Sequence, residues 1–185
     1  MEIGQKKINS RTVLKEVASW VLYFAIIIVA AILLNIFVVQ RAYVEGASME
    51  PTLSDSDNLI VDKISYRFRE PHRFDIVVFP SEDIEGRHYV KRIIALPGET
   101  IQVVAGKVYI DGVLMEVDYG NALMQYAGIA DHPLTLGDDE FFVLGDNRNN
   151  SRDSRQMGIQ HRDDIIGRAF LRVWPLAHFG LLQHD

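Results

Sequence analysis

The chain carries an unbroken apolar run from residue 20 to residue 39, WVLYFAIIIVAAILLNIFVV, with Asn35 as its one strongly polar member. A helix rises about 1.5 Å per residue, so such a run is about 30 Å long, the thickness of a bilayer's hydrocarbon core. Trp20 and Tyr23 stand near one end, where amphipathic rings favour the interface, and Gln40-Arg41 close the other. Ahead of the run stand Lys6, Lys7, Arg11 and Lys15, against Glu2 and Glu16. This positive excess predicts residues 1–19 in the cytoplasm, residues 20–39 as a transmembrane helix and residues 40–185 on the extracytoplasmic side. A cleavable leader would have an apolar core of about 7–15 residues and then a small-x-small site, which Gln40-Arg41-Ala42-Tyr43 is not. A buried core helix would also show a polar face. Asn35 is weak evidence for a specific partner helix. The lipid bilayer is thus the first expected partner.

A chain of 185 residues leaves room for one further domain of ordinary size. Charged residues at 24% and hydrophobic residues at 48% exclude wholesale disorder. Beyond residue 40 there are 15 Lys+Arg against 23 Asp+Glu, an acidic balance that opposes nucleic-acid binding. The absence of cysteine excludes disulfides, zinc–thiolate sites and a thiol nucleophile.

No long stretch after the apolar run repeats every 3.6 residues. Short β-branched and aromatic runs occur instead, at residues 58–64, 75–79, 88–96, 100–104, 107–110, 140–144 and 165–174. Pro97-Gly98, Ala105-Gly106 and Asp111-Gly112 separate them, the last pair being of hairpin type. The expected fold is mainly β, one β-rich domain of folded-sheet or barrel-like form after a single transmembrane helix. Residues 116–139 have the least pattern and read as a long surface excursion.

Three segments carry candidate chemistry. In Val44-Glu45-Gly46-Ala47-Ser48-Met49-Glu50-Pro51-Thr52-Leu53, small neighbours leave the Ser48 hydroxyl approachable, and the apolar Met49 stands beside it. Taken alone, a serine in such a stretch is usually a turn residue, and this is not the Gly-x-Ser-x-Gly elbow. In His88-Tyr89-Val90-Lys91-Arg92-Ile93-Ile94-Ala95-Leu96-Pro97-Gly98-Glu99, alternation puts Lys91 and Arg92 on opposite faces. One cation then shares an apolar face unless both faces are solvated, and alternation does not say which. Only lysine can readily lose its proton, and desolvation lowers its pKa toward that of a useful base. An exposed Lys-Arg pair is the plainer reading of those two residues. The third segment, residues 145–158, is Gly-Asp-Asn-Arg-Asn-Asn-Ser-Arg-Asp-Ser-Arg-Gln-Met-Gly. Its three arginines disfavour a calcium loop, and a loop pinned by Asp–Arg pairs is the ordinary alternative.

Together, Ser-Met-x-Pro-Thr, Tyr-x-Lys-Arg-x-x-x-x-Pro-Gly-Glu and Gly-Asp-Asn-x-x-x-Ser-x-Asp-Ser-Arg resemble the ordered motifs of bacterial type I signal peptidases, in the short single-anchor form typical of Gram-positive bacteria. The resemblance runs from the apolar run to Trp174. It implies a membrane-anchored serine endopeptidase that removes signal peptides from exported preproteins after small-x-small (Ala-x-Ala) sites, through a Ser/Lys dyad and an acyl-enzyme. Ser48 falls on the family nucleophile and Lys91 on the general base. Ser151 falls on the serine that hydrogen-bonds the lysine amine, and Asp146, Asp153 and Arg155 on residues that brace the site. Val44, Tyr89 and Val90 fall where the family lines shallow pockets for small residues, and Met49 is added as an apolar neighbour of the nucleophile. Gly46 marks a departure, because some members carry there a serine whose side chain donates to the oxyanion. The Ser48 N–H remains as one donor, and the second is left to a loop N–H or a water. Neither a cofactor nor a metal is implied, and His72, His88, His132, His161 and His178 lack ligand spacing. A Ser-Lys self-cleaving repressor would need a DNA-binding region in place of the apolar run. A membrane-tethered scaffold without activity is the alternative from another class.

Overall fold

The computed structural model describes residues 10–81 and 84–182. Residues 1–9, with Glu2, Lys6 and Lys7, lie outside the described residues, as does the side chain of Asn35. The chain divides into two compact units, residues 1–38 and 39–185.

The first unit is the helix α1 (Ser10–Phe37). Its stretch Val13–Leu33, of mean hydropathy 2.3 and with none of it buried, is long and apolar enough to cross a membrane. The helix starts ten residues before the expected boundary because nothing between Ser10 and Trp20 breaks it. It ends before Val39, which belongs to a strand. Trp20 therefore lies inside the apolar span, packed against Tyr23 and Phe24 at ring separations of 6.1 and 6.2 Å.

The second unit is built from strands β1 (Val39–Tyr43), β2 (Asn58–Asp62), β3 (Ile76–Pro80), β4 (His88–Ala95), β5 (Thr100–Val104), β6 (Lys107–Ile110), β7 (Val113–Leu114), β8 (Leu134–Thr135), β9 (Glu140–Leu144), β10 (Gln160–His161), β11 (Gly167–Trp174) and β12 (Gly180–Leu181), with one short helix α2 (Ser154–Met157). Among the described residues they form two antiparallel sheets. The larger has the order β1-β2-β11-β3-β4-β9-β10, with β12 also paired to β11, and the smaller has the order β7-β6-β5-β8. The seven expected strands are all present, and β5, β6 and β9 coincide with their expected bounds. The turns at Ala105-Gly106 and Asp111-Gly112 have positive φ at both residues, the geometry that lets a two-residue loop follow the twist of its strands. The paired strand β1 was not expected, since its sequence VQRAY shows no clean alternation.

Strand β4 organises the interior. From Val90 to Ala95 every residue is buried, because this strand lies between β3 and β9 with side chains packed over both of its faces. Val90 joins a cluster with Val44, Met49, Leu53 and Val78; Ile93 joins Val77, Phe79 and Phe141; Ile94 and Ala95 join Ile101, Phe142 and Leu144. Lys91 is registered opposite Val77, and Arg92 opposite Ile76. The reading of one buried cation, or of an exposed pair, is therefore overturned: Lys91 and Arg92 are 2% and 0% exposed.

Candidate active site

A burial this complete requires each cation to be either matched or neutral. Arg92 is matched. Its Nε and Nη2 donate to the two carboxylate oxygens of Asp146 at 2.9 and 2.8 Å, both side chains being wholly buried. Arg92 Nη1 donates to the Phe74 carbonyl at 3.0 Å, and the Tyr119 ring covers the guanidinium at 4.0 Å. Thr52 Oγ1 donates to Asp146 at 2.6 Å. A fork-shaped guanidinium suits this bidentate geometry, which lysine could not reproduce.

Lys91 has no such partner among the described residues. Its Nζ donates to the Val90 carbonyl at 2.9 Å and lies in hydrogen-bond contact with Ser48 Oγ at 2.8 Å. Burial disfavours the ammonium and lowers the pKa to about 8, against the opposing pull of the Asp153 and Asp146 carboxylates. The amine is thus still mostly protonated at pH 7 but gains its unprotonated form at a much lower pH than an exposed lysine would, beside a hydroxyl.

Ser48 sits in the turn that follows β1. Gly46, at φ +85°, donates its N–H to Asp55 at 2.7 Å, and Leu53 N–H donates to the Met49 carbonyl at 2.9 Å. Met49 is fully buried and pins the turn to the core. Ser48, Gly46, Val44, Met49, Tyr89, Val90 and Lys91 all line one cleft of about 240 Å³. A Cβ on Gly46 would meet nothing within 4 Å, so the space beside this position is open.

The loop after β9 closes the back of the site. Arg155 grips Asp153 with Nε and Nη2, each at 2.8 Å, and Nη2 also reaches the Arg148 carbonyl at 2.6 Å. Asp153 in turn accepts the Gly145 N–H at 3.1 Å. Gly145 itself is a matter of room: a Cβ there would lie 2.2 Å from Ser151 Oγ and 2.4 Å from the Ser48 carbonyl. Asp146, Asp153 and Arg155 are thus buried and paired with charged partners, and none of them lines the cleft. The Ser151 hydroxyl is buried without a hydrogen-bond partner among the described residues, so the contact to the lysine amine expected of it is not made here.

Residues that the sequence did not single out complete the site. Arg148, 1% exposed, donates to the Gly145 carbonyl at 3.1 Å and to the Asp118 carboxylate at 2.7 Å. Asp118, Tyr119 and Asn121 come from the segment read as a surface excursion, which is largely exposed as expected and also packs against the loop after β9, Asn121 donating its N–H to the Asp146 carbonyl at 2.9 Å. A motif such as Gly-Asp-Asn-Arg could have pointed to Arg148, but nothing local marks its partners. Among the described residues no group of three or more His, Asp or Glu is placed to hold a metal ion.

Comparison with known proteins places this arrangement in a class. A family model described as signal peptidase, peptidase S26, matches residues 17–174, and the chain belongs to that family. It is a hydrolase of the type I signal peptidase kind, a serine peptidase that removes signal peptides. The chain is 42% identical over 163 residues to a probable signal peptidase I-2 of Synechocystis, covering 85% of this chain and 73% of that protein. It is 43% identical to a signal peptidase I of Leptolyngbya laminosa, covering 84% and 78%, and 35% identical to signal peptidase I U of Bacillus subtilis, covering 91% and 96%. A crystal structure of a signal peptidase I from Enterococcus faecalis, 34% identical, covers 54% of this chain and 97% of that one with a TM-score of 0.46.

Proposed function

We propose that Ser48 and Lys91 are the nucleophile and general base with which this chain cuts preproteins after small-x-small sites. The observation that carries the reading is the 2.8 Å contact between a half-buried hydroxyl and a buried amine whose pKa burial lowers to about 8. Unprotonated Lys91 takes the Ser48 proton as Oγ attacks the carbonyl carbon at the end of the signal peptide. The tetrahedral intermediate collapses to an acyl-enzyme, and the amine of the mature protein leaves with that proton. Lys91 then activates a water that hydrolyses the ester and restores Ser48. Val44, Tyr89 and Val90 make a shallow apolar wall with Met49 packed beneath it, which suits alanine-sized side chains on the substrate.

In this reading Asp146, Asp153, Arg155 and Ser151 hold the dyad in place. α1 serves as the single-pass anchor in the cell membrane, with the N-terminus cytoplasmic and residues 40–185 outside. Anchoring raises the effective concentration of enzyme and substrate, because the substrate's own apolar segment lies in the same bilayer.

The experiment is cleavage of a preprotein bearing an Ala-x-Ala site by the detergent-purified chain, beside Ser48→Ala. Cutting at that site by the wild type alone is the expected result. Equal cutting by both would remove Ser48 from the mechanism, and no cutting by either folded protein would favour a tethered scaffold.

A further inference from the structure

Asn147 makes two hydrogen bonds to the segment that carries Ser48. Its backbone N–H donates to the Ser48 carbonyl, and its side-chain Nδ2 donates to the Ala47 carbonyl, each at 3.1 Å. The Ala47 carbonyl also accepts the Glu50 N–H at 3.2 Å, so it is held from two directions. The Ala47–Ser48 peptide is trans, since cis bonds among the described residues occur only before Pro51 and Pro175. In a trans, planar peptide the C=O and the following N–H point opposite ways. Holding the Ala47 carbonyl therefore fixes the direction of the Ser48 N–H, which has no acceptor among the described residues and belongs to a residue lining the cleft.

The orientation of the Asn147 amide is itself determined. Arg148 N–H donates to Asn121 Oδ1 at 3.1 Å, and Asn121 Nδ2 donates to Asn147 Oδ1 at 3.1 Å. Asn147 Oδ1 is thereby engaged as acceptor, and Nδ2 is left to face Ala47. The result is a head-to-tail series of amides from Arg148 through Asn121 and Asn147 to the Ser48 peptide. Aligned amides polarise one another, which makes the terminal N–H a better donor.

We propose that Asn147 is a positioning residue for the oxyanion site, its side-chain amide aiming and polarising the Ser48 N–H toward the carbonyl oxygen of the scissile bond. The demand on that N–H is greater here than where a side chain at position 46 helps, since Gly46 supplies none and its surroundings are open. The inference rests on Ser48 being the nucleophile.

The test uses the full chain in detergent, with single-turnover rates on the Ala-x-Ala preprotein measured against enzyme concentration and pH. Removing an oxyanion donor outright costs about 10²–10³ in rate, and losing only its aim is expected to cost about 10–100-fold in Asn147→Ala. Asn147→Asp, of the same shape but without the donor, is expected to lose at least as much. In Asn147→Ala, which adds no charge, half-saturation and the pH midpoint stay at wild-type values. Asn121→Asp, at an exposed position that leaves folding intact, is expected to lose several-fold in the same maximal rate, and it decides the matter if the Asn147 variants do not fold. A maximal rate within twofold of wild type, a loss confined to half-saturation, or in Asn147→Ala a loss accompanied by a moved pH midpoint, would overturn the proposal. Cleavage persisting in Ser48→Ala would instead overturn the nucleophile assignment, so the two failures are distinguishable.

Discussion

Lys91 Nζ lies 2.8 Å from Ser48 Oγ across 43 residues of sequence, and the lysine that makes this contact is 2% exposed. In the proposed mechanism the distance sets the route of a proton and the burial sets its direction, because a desolvated ammonium gives up its proton more easily than an exposed one.

Activity should therefore rise with pH through a midpoint near 8, the pKa to which burial lowers Lys91. Below that midpoint the amine is protonated and cannot accept the Ser48 proton; above it the amine is free. Lys91→Arg keeps a positive charge but has no accessible neutral form, so it is expected to be inactive at every pH at which the fold survives. Initial rates from about pH 6 to about pH 10 check both statements. Near wild-type turnover by Lys91→Arg would exclude lysine as the base.

The same burial has a stability consequence. The folded pKa lies below the unfolded value of 10.5, so the unfolded chain binds more protons between about 8 and 10.5. Stability contributed by this group rises with pH through that window and is lowest below it. The difference corresponds to a cost of about 3 kcal/mol near neutrality. Lys91→Met, similar in length and uncharged, is expected to be inactive yet more stable at pH 7, with that pH dependence removed. Denaturant titrations of both proteins at pH 7 and pH 10 read the effect; a less stable Lys91→Met at pH 7 would contradict it.

Gly145 is required by space. Alanine there would bring a Cβ to 2.2 Å from Ser151 Oγ and 2.4 Å from the Ser48 carbonyl, so the loop or the nucleophile turn must move. Misplacement of about 1 Å can cost about 10²-fold. Gly145→Ala is expected to lose about that factor in single-turnover rate while remaining folded, and wild-type kinetics would show that the loop yields freely.

Arg92 and Asp146 are buried together, and removing one leaves the other charged and unpaired. Arg92→Leu is expected to lose about 3–5 kcal/mol of stability, measured by denaturant unfolding. A loss under about 1 kcal/mol would mean that water or another cation satisfies Asp146, against the observed 0% exposure of both side chains.

Ser151 offers the opposite case. Its buried hydroxyl has no partner among the described residues, so Ser151→Ala removes a desolvation cost and is expected to leave stability unchanged or slightly raised. Its rate is nonetheless expected to fall, if substrate binding draws the hydroxyl to the Lys91 amine as the family resemblance implies. Unchanged single-turnover kinetics would leave Ser151 a packing residue.

The local features were legible in the sequence for physical reasons. An apolar run of bilayer length needs no tertiary partner to be helical, since its backbone is satisfied internally. Alternating β-branched runs and Gly-containing pairs such as Asp111-Gly112 likewise express preferences of single residues. The spacing of Ser48, Lys91 and the Gly-Asp-Asn loop carried the family. None of these signals reported β1, whose pairing with β2 depends on a strand fifteen residues away in the chain and on register.

What the sequence determined by itself, then, was the apolar helix, the β-rich class, the main turns and the residue types able to do the chemistry. Only the tertiary structure decided that Lys91 and Arg92 are both buried, because both faces of β4 are covered by segments distant in sequence. It also decided which of the two is matched: Asp146 meets Arg92 and leaves Lys91 to the Val90 carbonyl and Ser48. The same holds for Asn121 and Asn147, polar residues of two loops whose amides align only once β9 and the segment after β7 have packed. A hydrogen bond's direction is a property of two groups and their orientation, and no single stretch of sequence contains both.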